Sequence, residues 1–276
     1  MRSEMKMMRD RGMTSGLAVV VLAALACHSA PPAPEPAGHR VLFVGNSLTE
    51  ANDLPAMLEE IATSGGDTIR TAAVLAPGTA LIDHANGATN ALAAVRRGGW
   101  EYVVLQQGPT WPGVCLDTLV LASQIFDRAI RGVGARPALY MTWPATADLQ
   151  YFDGVRTSYE TAAASVDGLL LPAGEAWRAA WRDAPDLPLY AGDGFHPSRV
   201  GTYLAALVMY ERFTGHDART LTSRPVLGGR PLGLPDEAVQ LLQRAAHTAN
   251  TKYEVRSASY EVQAAPPPPI ASGVTC

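Results

Sequence analysis

Cysteine is scarce in this chain: of 276 residues only Cys27, Cys115 and Cys276 are cysteine, and no C-x-x-C pair exists. A cysteine-stapled scaffold and a cysteine-rich zinc site are argued against on that count. Charge is thin as well, at 17% of residues with a formal net charge of -4, and without a basic excess there is no electrostatic footprint for nucleic acid. The most apolar stretch, residues 17–26, is too short to span a bilayer. The phosphate-loop signature G-K-[ST] is missing, which leaves nucleotide hydrolysis without support. No repeat of fixed period is present, and the histidines show no ligand spacing, so neither a metal nor a cofactor is implied.

What is present suits one good-sized α/β domain, with 47% hydrophobic residues for a core. Arg2, Lys6, Arg9 and Arg11 precede the apolar run, and together they predict a signal peptide over residues 1–26. Its end, "ALAC", supports two readings: small-x-small cleavage after Ala26, or a lipid-bearing Cys27 that attaches the chain to a membrane. A Pro/Ala-rich tether follows over 27–39, the folded domain is expected over 40–254, and a Pro-rich tail over 255–276. The place of Cys276 in that tail argues against a bond to Cys115. The expected location is outside the cytoplasm, as a periplasmic or cell-envelope lipoprotein or a secreted protein.

Between the tails, short apolar runs alternate with helical patterns, as in a parallel sheet covered by helices on both faces. Candidate strands are "RVLFVG", "TIRTAAVL", "YVVLQQ", "PALYMTW" and "GLLLPAG". Asp53 and Pro55 open one helix, Gly132 and Gly134 close another, a third runs from near Ser198 to Gly215, and a last begins at Pro235.

In such a sheet, ligands bind beyond the carboxyl ends of the strands. Ser47 follows the first strand there, in "FVGNSLTE"; Gly78 follows the second, in "APGTAL"; Gln106 and Gln107 follow the third. With strand order 2-1-3-4-5 the three loops converge. In "GDGFHPS", Asp193 and His196 stand three residues apart in a turn before a helix, a spacing that lets the carboxylate bind one imidazole nitrogen and leaves the other to take a hydroxyl proton. That is what a serine nucleophile needs. The oxygen that becomes negative needs donors, and the N–H groups of Ser47 and Gly78 with an amide from Gln106 or Gln107 are the candidates. Trp111 and Trp143, after strands three and four, either line a substrate groove or seal the sheet edge. His84 is read as structural, with a substrate contact as the alternative.

From about Arg40 to Gly215 these blocks resemble the SGNH (GDSL-like) hydrolase superfamily. The resemblance implies a three-layer α/β/α sandwich with a five-stranded parallel sheet in flavodoxin-like order, and Ser47, Asp193 and His196 as catalytic residues. It implies a serine esterase or acylhydrolase acting on a small-molecule or carbohydrate ester. G-N-S replaces the usual G-D-S, and the third block's asparagine is absent, "LQQGPT" standing in its place. That missing asparagine favours the alternative of a non-catalytic surface protein binding glycan or a protein partner. The unrelated α/β-hydrolase fold is excluded, since no G-x-S-x-G elbow surrounds Ser47.

Overall fold

A computed structural model describes residues 38–259, with side chains as far as Tyr253. The segments read as leader and tether, with Cys27, and most of the tail, with Cys276, lie outside the described residues. Cys115 is disulfide-bonded, and the other two cysteines lie outside the described residues.

Five strands form one parallel sheet: β1 (His39–Gly45), β2 (Ile69–Leu75), β3 (Tyr102–Leu105), β4 (Arg136–Tyr140) and β5 (Leu169–Leu171). Their order is β2-β1-β3-β4-β5, as expected. Val41–Val44, Val103–Leu105 and Ala138–Tyr140 are wholly or almost wholly buried, because helices cover both faces and leave no polar side to the central strands. The strands are shorter than the apolar runs. β3 stops before Gln106 and β4 before Met141, so the loops carrying chemistry begin inside the core rather than at its rim.

The helices are α1 (Ser47–Glu50), α2 (Leu54–Ser64), α3 (Leu81–Ala85), α4 (Ala91–Arg96), α5 (Leu116–Arg131), α6 (Phe152–Ser165), α7 (Ala173–Asp183), α8 (Arg199–Thr214) and α9 (Asp236–Ser259). α3 to α6 pack together on one side of the sheet, and α2, α7, α8 and α9 on the other, completing three layers. Asp53 caps α2 by accepting from Ala56 N, and Ser198 caps α8 by accepting from Val200 N and Gly201 N. α8 is buried along nearly all its length because α2, α7 and α9 surround it.

α9, whose packing the sequence leaves undecided, lies on α7 and α8 with Val239, Leu242 and Ala246 fully buried. It continues to Ser259, past the boundary placed at 254. A two-stranded antiparallel ribbon, β6 (Val226–Leu227) and β7 (Arg230–Pro231), precedes it. At one margin of the sheet, Glu59 of α2 reaches β2, its Oε1 accepting from Thr71 N at 2.5 Å and Thr71 Oγ1 at 2.7 Å.

Candidate active site

The β1 strand runs out at Gly45, and Asn46, in extended conformation at φ -128, caps α1 by accepting from Leu48 N at 3.1 Å. The asparagine takes the capping role that a serine in this context often plays, so Ser47 is the first helical residue and its hydroxyl is spared for other work. That hydroxyl meets His196 Nε2 at 2.9 Å. His196 Nδ1 lies 2.6 Å from Asp193 Oδ2. A carboxylate only accepts, so the ring proton sits on Nδ1, and Nε2 is an acceptor facing the Ser47 O–H.

The turn that carries the pair is closed by the same carboxylate. Asp193 Oδ1 accepts from Phe195 N and His196 N, each at 3.0 Å. The Asp193 carboxyl is held down to about 2, chiefly by the hydrogen bond from His196 and then by these backbone donors. It is therefore ionised at every pH where the imidazole can act as a base. Gly194, at φ +68, turns the chain between them, and its carbonyl accepts from Thr146 N at 2.8 Å, joining this loop to the one after β4.

Gly78 stands in a turn closed by Thr79 N donating to Ala76 O at 3.1 Å, with Pro77 before it and φ +70 at the glycine, as in type II turns. The positive φ, rather than crowding, requires the glycine, since nothing in the protein lies within 4 Å of where a Cβ would stand. The turn is fastened at both ends to the residues just before Ser47: Ala76 N donates to Gly45 O at 3.1 Å, and Asn46 Nδ2 donates to Thr79 O at 3.1 Å. The N–H groups of Ser47 and Gly78 donate to no acceptor among the described residues.

The two glutamines are not in the site but behind it, which corrects their reading as oxyanion donors. Gln106 is fully buried, with Oε1 accepting from Asn46 N and Thr49 Oγ1, each at 2.8 Å, and Nε2 donating to Asn46 Oδ1 at 3.0 Å. Gln107, also buried, accepts from Leu81 N at 3.2 Å and donates to Cys115 O at 3.4 Å. The Tyr159 hydroxyl adds a bond to Gln107 O at 2.5 Å. Both amides follow a strand that ends early, so they point into the core instead of outward.

Trp143 is likewise no groove residue. It is wholly buried, stacks on Trp177 at 3.5 Å between ring centroids, and donates from Nε1 to Phe195 O at 3.2 Å. Trp177 donates to Gly201 O and Trp181 to Leu187 O, so three indoles hold the backbone on both sides of His196. Trp111 keeps part of its surface and stacks on the exposed Tyr151 at 4.4 Å. His84 is fully buried; its Nε2 donates to Gly45 O at 3.0 Å and its Nδ1 accepts from Thr89 Oγ1 at 2.7 Å. Burial pushes its pKa down, and the neutral ring serves as a brace between β1 and α3.

Among the described residues, Glu211, Asp217 and His247 bring ligand-type atoms within 4.8 Å of one another. They are already paired, His247 Nδ1 with Glu211 Oε1 at 2.6 Å and Arg219 with both Asp217 oxygens. α8 carries Glu211 about 18 Å along its axis from Arg199, so the cluster belongs to the far end of the helix that begins beside His196. A depression of about 530 Å³ beside β2, lined by Glu50, Asp53, Glu59 and Leu75 among others, includes none of Ser47, Gly78 or His196.

No protein-family model and no curated protein sequence matches the chain. Solved structures do. A DUF4886-family protein from Bacteroides uniformis is similar over 79% of this chain and 96% of its own, at 17% identity and TM-score 0.64. A lipase/acylhydrolase from Enterococcus faecalis is similar over 64% and 96%, at 14% identity and TM-score 0.51. At those identities the likeness speaks for the fold. A protein from Slackia heliotrinireducens described among the SGNH hydrolases is 32% identical, over 64% of this chain and 99% of its own, with TM-score 0.54. With that relative spanned from end to end, the chain belongs to the SGNH hydrolase superfamily.

Proposed function

We propose that the protein hydrolyses carboxylic esters through an acyl-enzyme on Ser47. The observation that carries this reading is the unbroken path from the Ser47 hydroxyl to His196 Nε2 at 2.9 Å and from Nδ1 to Asp193 at 2.6 Å. His196 takes the hydroxyl proton as Ser47 Oγ bonds to the ester carbon. The carbonyl oxygen becomes an oxyanion facing the N–H groups of Ser47 and Gly78, and Asp193 stabilises the imidazolium. Collapse breaks the bond to the alcohol, which leaves with the proton from Nε2. Water, deprotonated by the same nitrogen, then attacks the acyl group, releases the acid and returns the proton to Ser47. No step calls for a cofactor.

Short acyl groups are the favoured substrates, acetyl esters on carbohydrate in particular. The loop carrying Gly78 is brief, residues 76–80, and Trp111 keeps part of its surface, beside the face stacked on Tyr151, for a sugar ring. Covalent labelling by a fluorophosphonate tests the nucleophile: the wild type is labelled and Ser47→Ala is not. A wild type that resists the probe and leaves all p-nitrophenyl esters intact refutes hydrolysis. A graded ester series tests the acyl length, with turnover expected to fall as the chain lengthens. We infer export with attachment through Cys27, and mass analysis of the mature amino terminus tests it, an unmodified Cys27 ending the anchor.

A further inference from the structure

The resemblance leaves this chain short of one oxyanion donor, and the glutamines that might have supplied it are turned inward. Their bonds show a different use. Gln106 and Asn46 grip each other reciprocally: the Gln106 oxygen holds the Asn46 N–H, and the Gln106 amide nitrogen donates to the Asn46 side-chain oxygen. That oxygen also accepts from Leu48 N, and the Asn46 amide nitrogen donates to Thr79 O. Asn46 is thus bonded to the residue after Ser47 and to the residue after Gly78. A Cβ at Gly45 would collide with Gln106 Oε1, so the chain is glycine where the clasp lies against it.

We propose that Asn46 and Gln106 are positioning residues that set the spacing of the two backbone donors, Ser47 N–H and Gly78 N–H, so that this pair alone suffices for the oxyanion. The inference rests on the reading of Ser47 as nucleophile. Its chemistry is specific about direction. Asn46 must accept on one side, from Leu48 N and Gln106, and donate on the other, to Thr79 O, which an amide does with two separate atoms and an ionised carboxylate, an acceptor only, does not. An aspartate at this position, as in the usual G-D-S block, keeps the accepting side and loses the bond to Thr79 O, one of the two that fasten the Gly78 turn. An enzyme with a side-chain donor of its own in the third block can tolerate that. This chain, whose third-block amides are buried and engaged, cannot.

The test is Asn46→Asp in the full chain, with Asn46→Ser beside it. Serine also caps a helix, so the second variant folds even if a carboxylate at that buried place does not. Each is assayed for hydrolysis of p-nitrophenyl acetate, for thermal midpoint and for affinity toward an alkylboronic acid, whose tetrahedral adduct with Ser47 places an oxygen where the oxyanion forms. Displaced donors lower kcat about ten- to a hundredfold. Boronate affinity is expected to fall by a similar factor, with KM and the pH profile of kcat unchanged. A general structural defect would shift the thermal midpoint instead and leave no matched loss. A folded variant of either kind with wild-type kcat and boronate affinity overturns the positioning role while leaving the nucleophile intact. A wild type that neither hydrolyses the ester nor reacts with fluorophosphonate overturns both readings.

Discussion

Asparagine in place of Asp193 can still accept the N–H groups of Phe195 and His196, so the turn survives the change. Its NH₂ would donate to Nδ1, forcing the ring proton onto Nε2, where it meets the Ser47 hydroxyl as a donor. We expect Asp193→Asn to lower kcat by about 10⁴ with little change in thermal midpoint; ester turnover within tenfold of wild type would show that the carboxylate does not set the tautomer. His84 makes a separate prediction at the same scale. Burial favours its neutral form, so unfolding takes up a proton once the pH falls below its ordinary value of 6.5. Its share of stability is full above that value and is lost as pH falls toward and through the depressed folded pKa. Urea unfolding of wild type and His84→Gln across pH 8 to 5 should give curves that converge on acidification; parallel curves would refute the linkage. Ser47, Asp193 and His196 were legible because a strand end and a short spacing fix where such groups can stand. The direction of an amide was not legible. Gln106 and Gln107 read as donors until the early end of β3 turned both inward, and the hub, Asn46, was visible only as a departure from G-D-S.

At the scale of elements, the segment from Leu187 into the first turn of α8 at Gly201 owes its shape to the aromatic layer beneath it. Trp143, Trp177 and Trp181 each give their single N–H to its backbone, and Tyr190 ties it to Pro144 O at 2.6 Å. Trp143→Phe keeps an aromatic ring against Trp177 but removes the bond to Phe195 O and leaves a cavity where the larger indole stood. The expected cost is about 2–4 kcal/mol, measured by denaturant unfolding. A loss of turnover should accompany it because Phe195 adjoins His196; a loop equally active without the bond would count against this support. The apolar run "PALYMTW" announced a buried segment but not where its strand ends, since neighbouring loops bury Met141 and Trp143 as thoroughly as a strand would. Apolar periodicity reports burial, and hydrogen-bond register decides the rest.

At the scale of the whole molecule, α9 is part of the domain core. Besides its apolar face, Lys252 reaches Glu175 at 2.6 Å and Gln243 holds the carbonyls of Leu221 and Thr222. Leu242→Ala should therefore lower global stability by about 2–5 kcal/mol in one cooperative transition; two resolved transitions would mean that α9 melts by itself. The sequence proposed this helix without saying where it rests, because its pattern fits a free amphipathic helix as well as a docked one. The Glu59 contact to Thr71 has a consequence for the company the molecule keeps. One outward amide of the β2 margin is plugged by the chain's own anion, and the opposite margin, β5, extends for only three residues. Two copies meeting rim to rim must evict a carboxylate on one flank and find too few rungs on the other, so growth of a shared ladder into fibrils is opposed from both directions.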